Sequence, residues 1–124
     1  MAAELHVALV AADREVWSGE ATLVVARTTS GDIGVMPGHQ PLLSVLESGP
    51  VTIRTSDGGT VVAAVHGGFI SFADNKLSLL AEIAELSDEI DVQRAERALE
   101  RAKSADDASA GRRAEVRLRA VTAR

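Results

Sequence analysis

The groups in this chain able to carry acid–base, metal or phosphate chemistry are three histidines, eighteen carboxylates and thirteen basic side chains. His6, His39 and His66 stand far apart, with no partner at the helical or paired-strand spacing that a metal site needs, and read as turn or surface histidines. Cysteine is absent, which removes thiolate ligands, thiol nucleophiles and disulfides together. Gly67-Gly68 is not followed by the Lys-Ser/Thr of a phosphate-binding P-loop, and no serine sits in a Gly-x-Ser-x-Gly elbow. No carboxylate is trapped in an apolar run that would raise its pKa. These residue types, so spaced, offer no catalytic residue and no metal site. Nothing among them looks like an active site.

Charge divides the chain in two. Residues 1–90 hold 4 Lys/Arg against 12 Asp/Glu, whereas residues 91–124 hold 9 against 6, giving net charges of −8 and +3. A basic tail on an acidic body suits an acidic partner or a phosphate, and equally an ordinary solvated helix face. No apolar run approaches the eighteen or so residues of a membrane span, and the N-terminus lacks the basic segment of a signal peptide, so a cytosolic protein is expected.

The elements that must position these groups are short strands. Glu4–Ala11, Glu15–Trp17, Glu20–Thr28, Val51–Thr55, Thr60–Val65, Phe69–Phe72 and Lys76–Ile83 are rich in Val, Leu and Ile. Turn signals separate them: Asp13-Arg14, Ser18-Gly19, Asp57-Gly58-Gly59, His66-Gly67-Gly68 and Asp74-Asn75. That rhythm predicts an antiparallel β-sandwich or barrel over residues 1–86. From Ser87 onward β-branched residues almost vanish. Val92, Ala95, Leu99 and Ala102 form one apolar stripe behind Asp91 as N-cap. Ser104–Asp107 interrupts it, and Ala110, Ala114, Leu118 and Val121 form a second stripe among Arg112, Arg113, Arg117, Arg119 and Arg124. Residues 87–124 are therefore expected to form a helical hairpin whose Ala-rich stripes bury little area and hold it weakly.

One loop is far more specified than its length requires. Gly31-Asp-Ile-Gly-Val-Met-Pro-Gly-His-Gln-Pro-Leu-Leu-Ser-Val-Leu-Glu-Ser-Gly-Pro50 packs three Pro and four Gly around an apolar run. Met36-Pro37-Gly38 reads as a type II turn, with Pro presetting φ and Gly supplying the positive φ that follows. Such a loop is a binding surface, a sandwich corner, or both.

With these residues in view, the chain resembles the epsilon subunit of the bacterial F-type ATP synthase. Gly31–Leu43, His66-Gly-Gly-Phe69 and Ile90-Asp-Val-Gln-Arg-Ala95 carry the resemblance, the last being similar to an Ile/Leu-Asp-x-x-Arg-Ala signature. It implies a β-sandwich of about ten antiparallel strands followed by a C-terminal helical hairpin. It also implies a non-catalytic rotor subunit, peripheral on the cytoplasmic side of the cell membrane through its complex, with no nucleic-acid partner. The sandwich would grip the gamma subunit and rest on the loops of the c-ring, with Asp32, Met36 and His39 as the contacts of its ring-facing loop.

By the same resemblance the hairpin brakes ATP hydrolysis, reaching the catalytic beta subunits when extended. Arg113 and Arg117, one helical turn apart, would meet an acidic loop there. Some members bind ATP on the folded hairpin. Carried over by the motif, Glu85, Asp91, Arg94, Ala95 and Arg101 would form that site, with Arg94 and Arg101 on the phosphates. The ligand would be weak and regulatory, since the second helix is shorter than in many members, and no cofactor is required. A free-standing ATP-sensing switch is the alternative, favoured by a monomer that binds ATP tightly. A sandwich enzyme or sugar-binding module would need clustered aromatics or carboxylates on one sheet face, and the three aromatics, Trp17, Phe69 and Phe72, argue against it.

Overall fold

Strict alternation makes the first strand: Leu5, Val7, Leu9 and Ala11 point inward and are buried, while His6 stays outside, giving β1 (Leu5–Ala11). The structure, a computed structural model, describes residues 4–123, so Arg124 lies outside the described residues. Six further strands follow: β2 (Glu15–Thr28), β3 (Gly31–Val35), β4 (Leu42–Leu46), β5 (Gly49–Thr55), β6 (Thr60–Ala73) and β7 (Lys76–Leu86). Walking from β1 through β7, β6, β5 and β2 returns to β1, so the sheet closes on itself, while β3 extends β2 and β4 extends β6. The sandwich fold class read from the sequence is therefore present.

Two details differ from the expectation. The β1–β7 pair is parallel, from His6↔Lys76 to Ala11↔Ala81, because the chain crosses from one end of the sandwich to the other between them. The strands are also fewer and longer. Ser18-Gly19 does not break β2, which serves β1 along its first half and β3 along its second. His66-Gly67-Gly68 does not break β6, which pairs with β5 up to Val65 and with β4 from Gly68. Gly67 and Gly68 take φ of +71° and +126°, bending the strand while its register on β7 is kept. A Cβ on Gly68 would stand 2.0 Å from the Leu80 carbonyl oxygen, so only glycine lets the two strands approach here. Counting the bent strands as halves recovers most of the expected number.

The main core is aliphatic, as three aromatics in the chain require: Leu5, Val7, Leu9, Val24, Ile53, Ile70, Leu77 and Leu79 are sealed from solvent with Phe72. One stretch is buried on both faces. Ala63 and Val65 of β6 join this core, whereas Val62 and Ala64 point the other way into a second cluster under the helices. A strand covered twice loses alternation and reads as a continuous apolar run, as Val61–Val65 does.

After a single 3₁₀ turn at Ser87–Glu89 come α1 (Val92–Ser104) and α2 (Ala108–Ala123). Asp91 caps α1 by accepting the Arg94 N–H at 3.0 Å, and Asp107 caps α2 by accepting the Ala110 N–H at 3.0 Å. The hairpin lies docked on the sandwich, α2 against β5 and β6. Val62, Ala64, Ile90, Ala95, Val116 and Ala120 form its satellite core. Three of the six are alanines. The other three contribute about 1.5–3 kcal/mol each on burial, against the ordering cost of some thirty residues. The α1 stripe is as read from the sequence. On α2, Ala114, Val116 and Ala120 are the most deeply buried, and the expected Leu118 and Val121 pack half-buried against the satellite core.

Candidate functional site

Where β7 ends, the chain turns through Ser87–Glu89 and starts α1, and this corner builds a cleft of about 300 Å³. Buried Ile90 pins the corner, and the Asp91 cap fixes the direction of the first helical turn. Arg94 and Arg101, two turns apart, then line the same cleft from α1, with Ala95 and Ala98 between them leaving room. Glu85 enters from β7 and Arg117 from α2. The structure thus brings Glu85, Asp91, Arg94, Ala95 and Arg101 together in one place.

Sequence reasoning set Arg117 apart from this group, and the structure adds it. Its Nε donates to Glu85 Oε1 at 2.6 Å, with both side chains less than a third exposed. Glu89 is held by Arg14 at 3.2 Å and by the Leu86 N–H, and these bonds lower its pKa. Three guanidinium groups thus face Glu85, Glu89 and Asp91, and Asp91 already spends one oxygen on its cap. An anion entering here would compete with carboxylates for Arg94, Arg101 and Arg117. The lining contains no histidine, lysine or hydroxyl side chain, and its polar groups are three guanidinium groups and three carboxylates.

Beside the cleft lies a histidine that, standing before two glycines, reads in the sequence as part of a turn signal. His66 is 5 % exposed, and neither of its ring nitrogens has a hydrogen-bond partner. Its Nε2 stands 3.9 Å from Glu85 Oε1, too far to bond. Burial, and then the Arg117 charge, hold the imidazole down at about 4. Arg112 and Arg113 share a notch with His66 on the same seam. Arg113 and Arg117 therefore do share one helix face, but in the docked hairpin it is the face turned to the sandwich.

The specified loop takes the turn expected of it. Met36 O accepts the His39 N–H at 3.1 Å, and Gly38 has φ of +83°. The Gly38 N–H donates to Asn75 Oδ1 at 2.8 Å, tying the loop to the β6–β7 turn. His39 sets its ring edge-on to Phe72, 5.9 Å between centroids, with Nδ1 2.7 Å from the Gln40 carbonyl. Met36 is exposed beside it. Asp32 lies at the far end of β3, about 13 Å along the strand, and pairs with Arg27 at 3.4 Å. The three expected contacts are all exposed but do not form one point.

A larger surface went unread in the sequence. Val45 of β4 pairs with Phe69 of β6, which pairs with Leu80 of β7, and all three side chains point outward. Leu43, two residues along from Val45, is 75 % exposed. Leu43, Val45, Phe69 and Leu80 make a bare apolar patch across three neighbouring strands, the kind of surface that marks an interaction site. Its parity could have been found from Leu43-x-Val45 once Leu42 and Leu46 were assigned inward. Among the described residues no helix is long and apolar enough to cross a membrane, and no three His, Asp or Glu converge as metal ligands.

Residues 4–87 match the family model described as the beta-sandwich domain of the ATP synthase delta/epsilon chain. Over all 124 residues, and the whole of the relative, the chain is 89% identical to a Streptomyces coelicolor protein named ATP synthase epsilon chain. A Rhodococcus jostii protein of the same name is 53% identical over 120 residues, 96% of this chain and 97% of that one. In structure it is similar to a chain of the Euglena gracilis mitochondrial ATP synthase, with a TM-score of 0.75 at 22% identity. That match covers 98% of this chain and 79% of the other, and it speaks for the fold.

Proposed function

The chain belongs to the ATP synthase delta/epsilon family, and on that premise we propose that it is a non-catalytic central-stalk subunit of a proton-translocating rotary ATP synthase. The sandwich couples c-ring rotation to the gamma subunit, and the hairpin restrains ATP hydrolysis. The observation that carries this reading is the contrast between two outer faces of one sandwich. The β5–β6 face is covered by the chain's own hairpin, while the β4–β6–β7 face leaves Leu43, Val45, Phe69 and Leu80 bare. A bare apolar face on a folded subunit calls for a permanent neighbour, and the gamma subunit is that neighbour in this reading. The loop around Met36 and His39, braced by Asn75, then rests on the c-ring loops, and the subunit reaches the membrane only through the complex.

In this reading the cleft takes a regulatory ligand. Its lining comes from β7, α1 and α2 together, so a nucleotide bound there would link hairpin to sandwich and favour the docked state by mass action. The donor set fits ATP: Arg94 and Arg101, joined by Arg117, suit its phosphates, and Glu85 and Asp91 suit the ribose or base. Binding would be weak, because the Arg117–Glu85 bond must yield to it. Released, the hairpin would turn Arg113 and Arg117 from the sandwich toward the catalytic beta subunits.

The experiment that tests the grip is co-purification of the gamma subunit with Phe69→Asp/Leu80→Asp. Both residues are half exposed and outside the core, so the variant should keep its fold, checked by its circular dichroism, and gamma should be lost from it. Undiminished gamma would contradict the assignment.

A further inference from the structure

We propose that the seam between hairpin and sandwich is a proton-sensitive latch, in which protonation of His66 releases the hairpin. Val62, Ala64 and His66 lie on the outward face of β6, and the first two are covered by the hairpin's satellite core. His66 continues that row at its edge, 5 % exposed, and neither nitrogen finds a donor or acceptor. A neutral imidazole tolerates that place poorly, and a charged one much less.

The charges around it settle the direction. From α2, Arg113 and Arg117 face His66, and Arg112 lines the same notch. From β7 come Glu85, with Oε1 3.9 Å from Nε2, and the exposed Glu82 at the notch's rim. The β4–β5 connection adds the neutral Ser48, and α2 the neutral Ser109. Glu85 is the carboxylate that could welcome an imidazolium, but it is already bonded to Arg117 at 2.6 Å. A proton on His66 would therefore meet burial and guanidinium repulsion with its counter-charge already engaged. When the hairpin leaves, the ring reaches water and the arginines withdraw.

The docked imidazole is held down at about 4, by burial first and by Arg117 next. Undocked, it returns to about 6.5. Its neutral form thus supports docking in full above about pH 6.5, and the support is lost as pH falls from there toward 4. Between pH 7.5 and 5.5 the opening constant should rise roughly tenfold. The proposal rests on the reading that the hairpin undocks, and goes beyond it by naming a group that sets when.

The chain has no cysteine, so Ser56→Cys and Ser104→Cys, both exposed, place one label on the sandwich and one on the hairpin of the full-length chain. The distance distribution between them, recorded from pH 7.5 to 5.5, gives the open fraction. An open-to-docked ratio that rises about tenfold, and stays within twofold when His66→Gln is added, supports the latch. An equal rise in both chains overturns the latch and leaves the moving hairpin standing. A hairpin docked at every pH overturns both. Should His66→Gln fail to fold, the imidazole resonance of His66 in the unsubstituted chain decides: a midpoint well below 6.5 supports the latch, and one near 6.5 overturns it.

Discussion

Single residues carry much of the local design, and the sequence makes some of them plain. Asp91 as helix cap and Gly38 as the positive-φ position of a turn follow from rules that span four residues, and both are where they should be. Arg117 was not legible in that way. Its partner Glu85 lies 32 residues earlier, on another element, and no local spacing rule joins them. His66 was hidden for a related reason, since a histidine before two glycines reads as a turn until a covering helix is known. The glycines beside it can be tested directly. In Gly68→Ala a methyl must enter a space 2.0 Å from the Leu80 carbonyl at a φ of +126°. That should cost about 3 kcal/mol or more, lowering the urea midpoint of the sandwich. An unchanged midpoint would mean that β6 does not need its bend.

At the scale of elements, strands and helices were visible in outline but their junctions were not. Ser18-Gly19 and Gly67-Gly68 look like breaks because turns and bends use the same residues, and only tertiary pairing shows that the strand continues. The second helix shows the same limit. Spacing finds Leu118 and Val121, which pack on the satellite core, but not Val116 and Ala120, which are buried in it, nor Gly111, which lies against Ala102 of α1. The hairpin is an element held by a few small side chains and by the Arg117–Glu85 bond. Glu85→Gln removes the charge but keeps the shape, and should weaken docking by about 1–2 kcal/mol. Hydrogen exchange would report it as faster exchange in α1 and α2 with β1 and β7 unchanged. Equal protection in both chains would remove the bond from the account. The distinction matters for charge-reversal tests, because Arg113→Glu with Arg117→Glu would both open the hairpin and strip the cations proposed to act once it is open.

At the scale of the molecule, an acidic sandwich, self-sufficient in its core, is joined to a basic hairpin that shares almost none of that core. The change of charge and periodicity near Ser87 is readable in the sequence. The bare face across β4, β6 and β7 was not, because it arises from strands distant in sequence brought into register. The separateness of the two cores also means that the sandwich should survive loss of the hairpin. The central claim is that the hairpin restrains hydrolysis while the sandwich holds the stalk together. The measurement that meets it most directly is ATP hydrolysis by the purified rotary complex, with this chain intact and with it truncated after Asp88. The account predicts that the truncated chain still co-purifies and that hydrolysis rises several-fold. A complex that hydrolyses ATP at the same rate with and without residues 89–124 would contradict it.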